Sequence, residues 1–416
     1  MSHEESIRFL LQISVMLAVA VALGQGCQRL RFPAVFGEII GGILLGPTVL
    51  GALSPQLHQW LFPVSGSIAI GREAVVKLGL LSFLFAAGLE MRVLQLPSTL
   101  RRILSTSLLG MVIPFAFGYG IVMLWPSLWS SAEMVPAFLP MLMGTALAIS
   151  ALPVIARILV DLRLQHTDLA MTILAAASID DLVGWLLLAI IISRISPTAT
   201  TASNPWVLAG LLVSVWLVIL TVGRRVVQRM RPWFRTHMVG LGSLICVAMV
   251  MTLVAAAGVE ALGIHGVFGA FLAGLMLAQG RSEREPVHEM VHQYAIGVFA
   301  PLYFVSIGLK TNFSTHFDLQ LVAVVLVIAC VGKIIGAGLG AWLGGMTPRK
   351  ALAVGCGMNA RGAMEIVLAS LALDYGMIDQ RIFVGLVTMA LVTSLLSGPL
   401  MAVLLRTGIP QQATRL

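Results

Sequence analysis

The chain is a succession of apolar stretches about 20 residues long, joined by short connections. They lie near 7–28, 34–53, 74–93, 102–125, 134–160, 168–193, 206–228, 238–258, 260–280, 287–309, 317–344, 350–373 and 380–405, about thirteen in all. A helix of about 20 apolar residues spans the hydrocarbon core of a bilayer. Only 11% of residues are charged and 58% are hydrophobic, against about 25% charged in soluble domains. The expectation is an all-α integral membrane protein of about 13 transmembrane helices. The connections are too short to hold an inserted soluble domain. The chain stops at "RTGIPQQATRL", so 406–416 reads as a short tail with no room for a cytoplasmic regulatory domain.

A net charge of +8 does not indicate a nucleic-acid partner, because the basic residues sit in short loops between apolar runs. Arg29 and Arg31, then Arg92, Arg101 and Arg102, then Arg157 and Arg163 occupy alternate loops. "GRRVVQRMRPWFR", Arg281 with Arg284, and Arg349 with Lys350 continue the series, whereas "PSLWSSAE" and "AAGVEALG" carry no Lys or Arg. Basic loops stay in the cytoplasm. The N-terminus is therefore expected outside and the C-terminus inside, in a cell (inner) membrane, which requires an odd number of spans. "MSHEESIRFL" lacks the basic start and the cleavage site of a signal peptide. Cys27, Cys246, Cys330 and Cys356 fall in or beside apolar segments without metal-ligand spacing and read as small buried hydrophobes.

An internal echo divides the chain. "SFLFAAGLEM" (82–91) resembles "PLYFVSIGLKT" (301–311), and upstream of each lies a glycine-studded span, "GEIIGGILLGP" and "HGVFGAFLAGL". Two six-helix units, about 7–193 and 238–405, separated by a linker span at about 206–228, would enter the membrane from opposite sides, the inverted-repeat plan of secondary transporters. On that plan span 5 pairs with span 12. "GTALAISALPVIAR" contains Pro153, and "GCGMNARGAMEIV" sets Gly355, Gly357, Asn359, Arg361 and Gly362 at depth. Proline removes a backbone donor and glycine weakens a helix. Broken backbone in a membrane survives only where it lines a cavity or is buried in protein, so these segments point to a binding site where they cross.

Ionisable residues at depth give that site its chemistry. Asp180 and Asp181 in "AASIDDLVGW" lie about thirteen residues into span 6, ~20 Å along the axis. Lys333 in "ACVGKIIGAG" and Glu365 lie deep in spans 11 and 12. Buried ionisable groups in membranes usually pair and usually mark an ion or proton path. Neighbouring residues point ~100° apart on a helix, so one Asp can meet Lys333 while the other faces an aqueous cavity. A charge-pair staple explains one Asp and the Lys, but not the second Asp. Coupled carboxylates of this kind hold protons or a small cation, but not both, as exchange requires.

The motifs "FGEIIGGILLGPTVLG", "LGLLSFLFAAGLE", "SALPVIARIL", "SIDDLVGW", "GAFLAGLMLA", "LYFVSIGLK", "GKIIG" and "MNARGAMEIVLA" occur in this order along essentially the whole chain. In them the chain resembles the monovalent cation:proton antiporter family 2, which includes NapA-like sodium/proton antiporters and Kef-like potassium transporters. The resemblance implies an NhaA/NapA-like fold with crossed discontinuous helices, a six-helix core domain that moves across the membrane, and a homodimer. It implies that Asp181 carries the transported monovalent cation, that Asp180 pairs with Lys333, and that the span-5 break contributes Ser150 and Thr145. Asn359, Arg361 and Glu365 are accessory candidates. No cofactor is expected beyond the transported cation and H+. Glu365 stands three residues after Arg361-Gly362, whereas NapA-like members place the acid directly after Arg-Gly. This form is nearer to the Kef-like and plant exchangers.

The expected function is antiport of Na+ or Li+, with K+ possible, against protons, by alternating access. Alternatives are a Kef-like potassium/proton exchanger and a bile-acid-type sodium symporter, which shares the crossed-helix plan without needing Asp-Asp and Lys at mid-membrane. An intramembrane aspartyl protease needs its two acids on facing helices in a Gly-x-Gly-Asp context, which is not the pattern here. A channel differs from an antiporter in lacking stoichiometric proton movement. His265 reads as a capping or packing residue. His288 and His292, at i and i+4 beside Glu285 and Glu289, have a zinc-compatible spacing but read as a solvated cluster.

Overall fold

The computed structural model describes residues 2–30, 32–90, 100–129, 138–164, 167–193, 241–261, 266–278 and 293–405, with isolated positions between 210 and 229. All regular structure among them is helical. In chain order the helices are α1 (His3–Arg29), α2 (Ala34–Leu45), α3 (Leu50–Leu53), α4 (Pro55–Leu61), α5 (Ser67–Glu90), α6 (Leu100–Leu124), α7 (Pro126–Trp129), α8 (Leu139–Ala148) and α9 (Leu152–Asp161). There follow α10 (Asp168–Ser193), α11 (Leu241–Ala261), α12 (Gly266–Ala278) and a π-helical turn (Ala295–Phe299) running into α13 (Ala300–Lys310). The chain continues through α14 (Phe313–His316), α15 (Leu319–Leu343), α16 (Pro348–Met358), α17 (Ala363–Asp374) and α18 (Gln380–Leu405). Five segments among the described residues are long and apolar enough to cross a membrane: His3–Arg29, Ala34–Leu53, Leu100–Leu124, Leu319–Leu343 and Gln380–Leu405.

The stretches expected at 168–193 and 380–405 coincide with α10 and α18. Three expected spans are each two pieces. Residues 34–53 part after Leu45, because Pro47 has no N–H to continue the ladder and Gly46 turns extended (φ −84°, ψ −171°). The expected span 134–160 is α8 and α9, and 350–373 is α16 and α17. Pro153 is not at the break. It lies at the second position of α9, in the first turn, where a missing N–H costs no helical bond. Gly355 and Gly357 likewise sit inside α16, and the chain unwinds only after Met358. The linker span (206–228, apart from isolated positions), His265, the cluster of Glu285, His288, Glu289 and His292, and the tail 406–416 lie outside the described residues.

The chain divides into two compact units, each drawing on both halves of the sequence: Met1–Val93 with Ala189–Asn312, and Leu94–Leu188 with Phe313–Leu416. In the first unit α1 packs on α2, α2 on α13, and α5 on α12. Met16, Ala20, Leu61, Phe62, Leu302 and Val305 form one of its buried clusters. The α5/α12 seam is close because glycines face backbone. A side chain at Gly274 would overlap the Phe85 carbonyl, and one at Gly88 would overlap that of Phe271. Of the two strings that echo one another, residues 82–90 close α5, and residues 301–310 make up α13 after its first residue.

The second unit repeats an order of parts. A 25-residue helix, a helix broken into two 10-residue pieces and a 26-residue helix (α6, α8/α9, α10) are matched by pieces of 25, 11 with 12, and 26 residues (α15, α16/α17, α18). The long helices α6 and α15 pack along each other, and α15 packs on α16. A mainly aliphatic cluster including Ile155, Leu159, Ile173, Val354 and Met401 ties α9, α10, α16 and α18 together.

The glycine seam is testable. Gly274→Val should lower the melting temperature of the detergent-purified protein by several degrees, as overpacking costs about 1–3 kcal/mol. Gly258→Ala on α11, where an added Cβ meets nothing within 4 Å, should leave it within about 2 °C, since the exchange is worth under about 1 kcal/mol in a helix. Equal melting temperatures for the two variants would show that the seam is not close-packed.

Candidate functional site

The site is built around two places where helices stop inside the second unit. Residues 149–151 separate α8 from α9, and residues 359–362 separate α16 from α17. The two unwound stretches bond to each other: the Ala151 amide donates to the Ala360 carbonyl at 2.9 Å, and the Ser150 hydroxyl to the Met358 carbonyl at 2.9 Å. Gly362 makes the approach possible, because an added Cβ would lie 2.9 Å from Val154 Cγ2 and 3.0 Å from Ala151 Cβ.

A helix that stops leaves its last carbonyls without partners and concentrates partial negative charge at that end. Two buried cations answer this at the end of α8. Arg361 Nη1 donates to the Ala146 carbonyl at 2.8 Å and the Ile149 carbonyl at 3.4 Å, and Nη2 to the Leu147 carbonyl at 2.5 Å. The Ile149 carbonyl is the one that residue 153 would serve in an unbroken helix, and Pro153 has no N–H to offer. Lys333 Nζ donates to the Ala148 carbonyl at 2.5 Å and, across to α6, to the Gly110 carbonyl at 2.8 Å. Ser394 on α18 donates its hydroxyl to the Arg361 carbonyl.

Each cation has a carboxylate. Lys333 Nζ lies 2.8 Å from Asp180 Oδ2, with both side chains fully buried. Arg361 Nη1 lies 3.2 Å from Glu365 Oε1, one turn along on α17, also buried. Asp180 is held further by Ser107 of α6, whose hydroxyl donates to Oδ1 at 2.7 Å, and by Ser150, which donates to Oδ2 at 3.4 Å. Asp181 follows on α10, about 100° around the helix, and is only 4% exposed. Lys333 is within electrostatic reach of Asp181 and Arg361, and Glu365 within reach of Lys333. The five groups therefore form one electrostatic cluster. Its three carboxylates exceed its two cations by one formal negative charge.

Of the residues singled out in the sequence, Asp180, Asp181, Ser150, Lys333, Arg361 and Glu365 are gathered here. Thr145 is buried on α8, its hydroxyl donating to the Met141 carbonyl of its own helix at 2.8 Å. Asn359 caps α16 and directs Nδ2 to Cys330 Sγ at 3.5 Å. Ser107 and Gly110 escaped the sequence reading. Their one trace is a small polar run, "STS", in an otherwise apolar span, and such residues are common in membrane helices for packing alone.

The family described as sodium/hydrogen exchanger, transmembrane, matches residues 15–407. "Cation/H(+) antiporter 18" of Arabidopsis thaliana is 34% identical over 400 residues, covering 94% of this chain and 48% of its own length. The chain thus spans about half the length of the plant relatives it matches. "Na(+)/H(+) antiporter NhaS4" of Synechocystis sp. is 30% identical over 398 residues, covering 94% of this chain and 95% of its own. Among solved structures, the sodium proton antiporter MjNhaP1 of Methanocaldococcus jannaschii at pH 8 superposes with a TM-score of 0.65 at 16% identity, over 96% of this chain and 98% of that one.

The Asp180–Lys333 pair should be measurable as a coupling. Lys333→Ala leaves a buried carboxylate without its cation and should cost about 3–5 kcal/mol of stability. Combining it with Asp180→Asn should cost less than the sum of the single changes. Strict additivity in thermal or denaturant unfolding would mean the two are not coupled.

Proposed function

The chain belongs to the sodium/hydrogen exchanger family of cation/proton antiporters, and we propose that it exchanges a monovalent cation for protons by alternating access, with Asp181 as the ion carrier. The observation that carries this is the charge balance of the buried cluster. Counted as fully ionised, the three carboxylates and two cations buried here (Asp180, Asp181 and Glu365; Lys333 and Arg361) sum to one formal negative charge. A buried charge is costly unless neutralised. A bound proton neutralises it, and so does a bound monovalent cation, and the two exclude each other. Asp181, the residue after Asp180 on α10, is 4% exposed and within electrostatic reach of Lys333, and the family resemblance gives it the carrier role. Ser150 lies in the unwound stretch beside Asp180, where a half-helix end supplies polarised backbone.

Na+ or Li+ is the favoured cation, and the Synechocystis relative is named a Na(+)/H(+) antiporter. K+ is the second reading, favoured by the position of Glu365 three residues beyond Gly362, nearer to the Kef-like form. The proposal includes two inverted six-helix repeats, about 7–193 and 238–405, around the linker span, with about 13 spans in an NhaA/NapA-like arrangement. The matching order of helix lengths in the second unit supports that division. A homodimer in the cell membrane, with the N-terminus outside and the C-terminus cytoplasmic, completes the reading. The distribution of basic loops supports this orientation.

Asp181→Asn keeps the size of the side chain but can neither titrate nor attract a cation. In proteoliposomes, dequenching of a pH-sensitive dye on addition of Na+, Li+ or K+ should fall to the protein-free background for this variant, with its melting temperature near that of the wild type. Robust exchange by the purified variant would remove Asp181 from the role of carrier. The native protein in the same scan ranks the three cations.

Adjacent Asp180 and Asp181 with a deep Lys333 further favour two protons per cation, one on Asp181 and one on the Asp180–Lys333 pair. Such a cycle moves one net charge, worth about 2.3 kcal/mol per 100 mV. Transport of Na+ or Li+ should therefore change speed when a potassium diffusion potential set with valinomycin is reversed. Rates and end-points indifferent to the potential would mean one-for-one exchange.

A further inference from the structure

We propose that Glu365 sets the charge of the transport site: it cancels the cation that the end of α8 requires, and so preserves the site's attraction for the transported cation. The inference rests on the reading of Asp181 as carrier. Its starting point is a conflict between two needs of the same few ångströms. The broken end of α8 needs donors, and Arg361 gives three of its carbonyls hydrogen bonds in the fixed fork of a guanidinium. That solution brings a permanent positive charge, in addition to the ammonium of Lys333 on α15, to a place a cation has to enter. Burial removes the water and salt that would screen it.

Asp180 on α10 answers Lys333 at 2.8 Å, and Glu365 answers Arg361 at 3.2 Å. Glu365 is 2% exposed. It lies in the first turn of α17, just beyond the unwound stretch that carries Arg361. Among the described residues, the charged groups that act on it are Arg361 and Lys333, and Lys333 in turn is paired with Asp180. With Glu365 ionised the cluster carries one negative charge. With a neutral residue there it carries none, and the hydrogen bonds to α8 are unchanged. Glu365 is therefore a positioning and charge-setting residue that acts on the cation through Arg361, without coordinating it.

Charge separates from shape in Glu365→Gln, which keeps an oxygen for Arg361 to donate to, and in Glu365→Asp, which keeps the charge on a shorter arm. At an effective dielectric of about 20, a unit charge beyond direct contact changes an ion affinity on the order of tenfold. In proteoliposome exchange assays Glu365→Gln should raise the cation KM about tenfold with Vmax within about threefold of the native value, and Glu365→Asp should keep the KM within about threefold. An unchanged KM in Glu365→Gln, or an equal loss of Vmax in both variants with KM unmoved, overturns the proposal and leaves Glu365 as a staple of α17. Asp181→Asn in the same assay keeps the two readings apart. A silent Glu365→Gln beside an inactive Asp181→Asn refutes only the charge-setting role, whereas exchange by Asp181→Asn refutes the carrier reading and this inference with it.

Discussion

Four consecutive carbonyls at the end of α8, those of Ala146, Leu147, Ala148 and Ile149, stand where no water can be relied on to bond them. In an unbroken helix the next turn would serve them. Here that turn is replaced by residues 149–151, and Pro153 removes one donor outright. The bonds come instead from Arg361 and Lys333. An unsatisfied backbone group in this environment costs several kcal/mol, so the two cations are as necessary to the fold as any buried apolar side chain in the unit.

Once the cations are fixed, the acids follow. Each buried charge needs a partner at close range, and the partners come from different places: Asp180 from the middle of α10 for Lys333, Glu365 from the first turn of α17 for Arg361. Asp181 is then the third carboxylate in a cluster with two cations. The repair of a helix end thus gathers two cations and three carboxylates at one place among the described residues. On the proposed reading, stability and transport would draw on the same few atoms, so separating them experimentally takes isosteric changes instead of truncations.

The chain reaches this arrangement with close packing of a particular kind. α6 and α15 run along each other and supply Ser107, the Gly110 carbonyl and Lys333 from their facing surfaces. Ser394 on α18 holds the Arg361 carbonyl in the second unwound stretch. Side chains from these unbroken helices bond the end of α8 and the second unwound stretch from far away in sequence, so the broken helices are held in a framework of unbroken ones.

The sequence by itself determined the helical class, the extent of several helices and the burial of the ionisable residues. A bilayer imposes this: a helix that crosses it must be apolar for about 20 residues, and a charge placed in such a run stands out. Residues 168–193 and 380–405 were legible end to end for that reason. Where each broken helix stops was less so, because Pro153 and the glycines of 355–362 mark a weakened region, whereas the stop is chosen by whatever takes the released carbonyls. Apart from the family resemblance, which named Asp180 as the partner of Lys333, the partners were legible only as types. That Lys333 meets Asp180 and not Asp181, that Arg361 serves α8, and that Ser107 orients Asp180 depend on helices 30 to more than 200 residues apart arriving at one point. Local periodicity carries no record of such meetings. Only the tertiary structure decides them, by bringing donors and acceptors within bonding distance in a medium that penalises every atom left out.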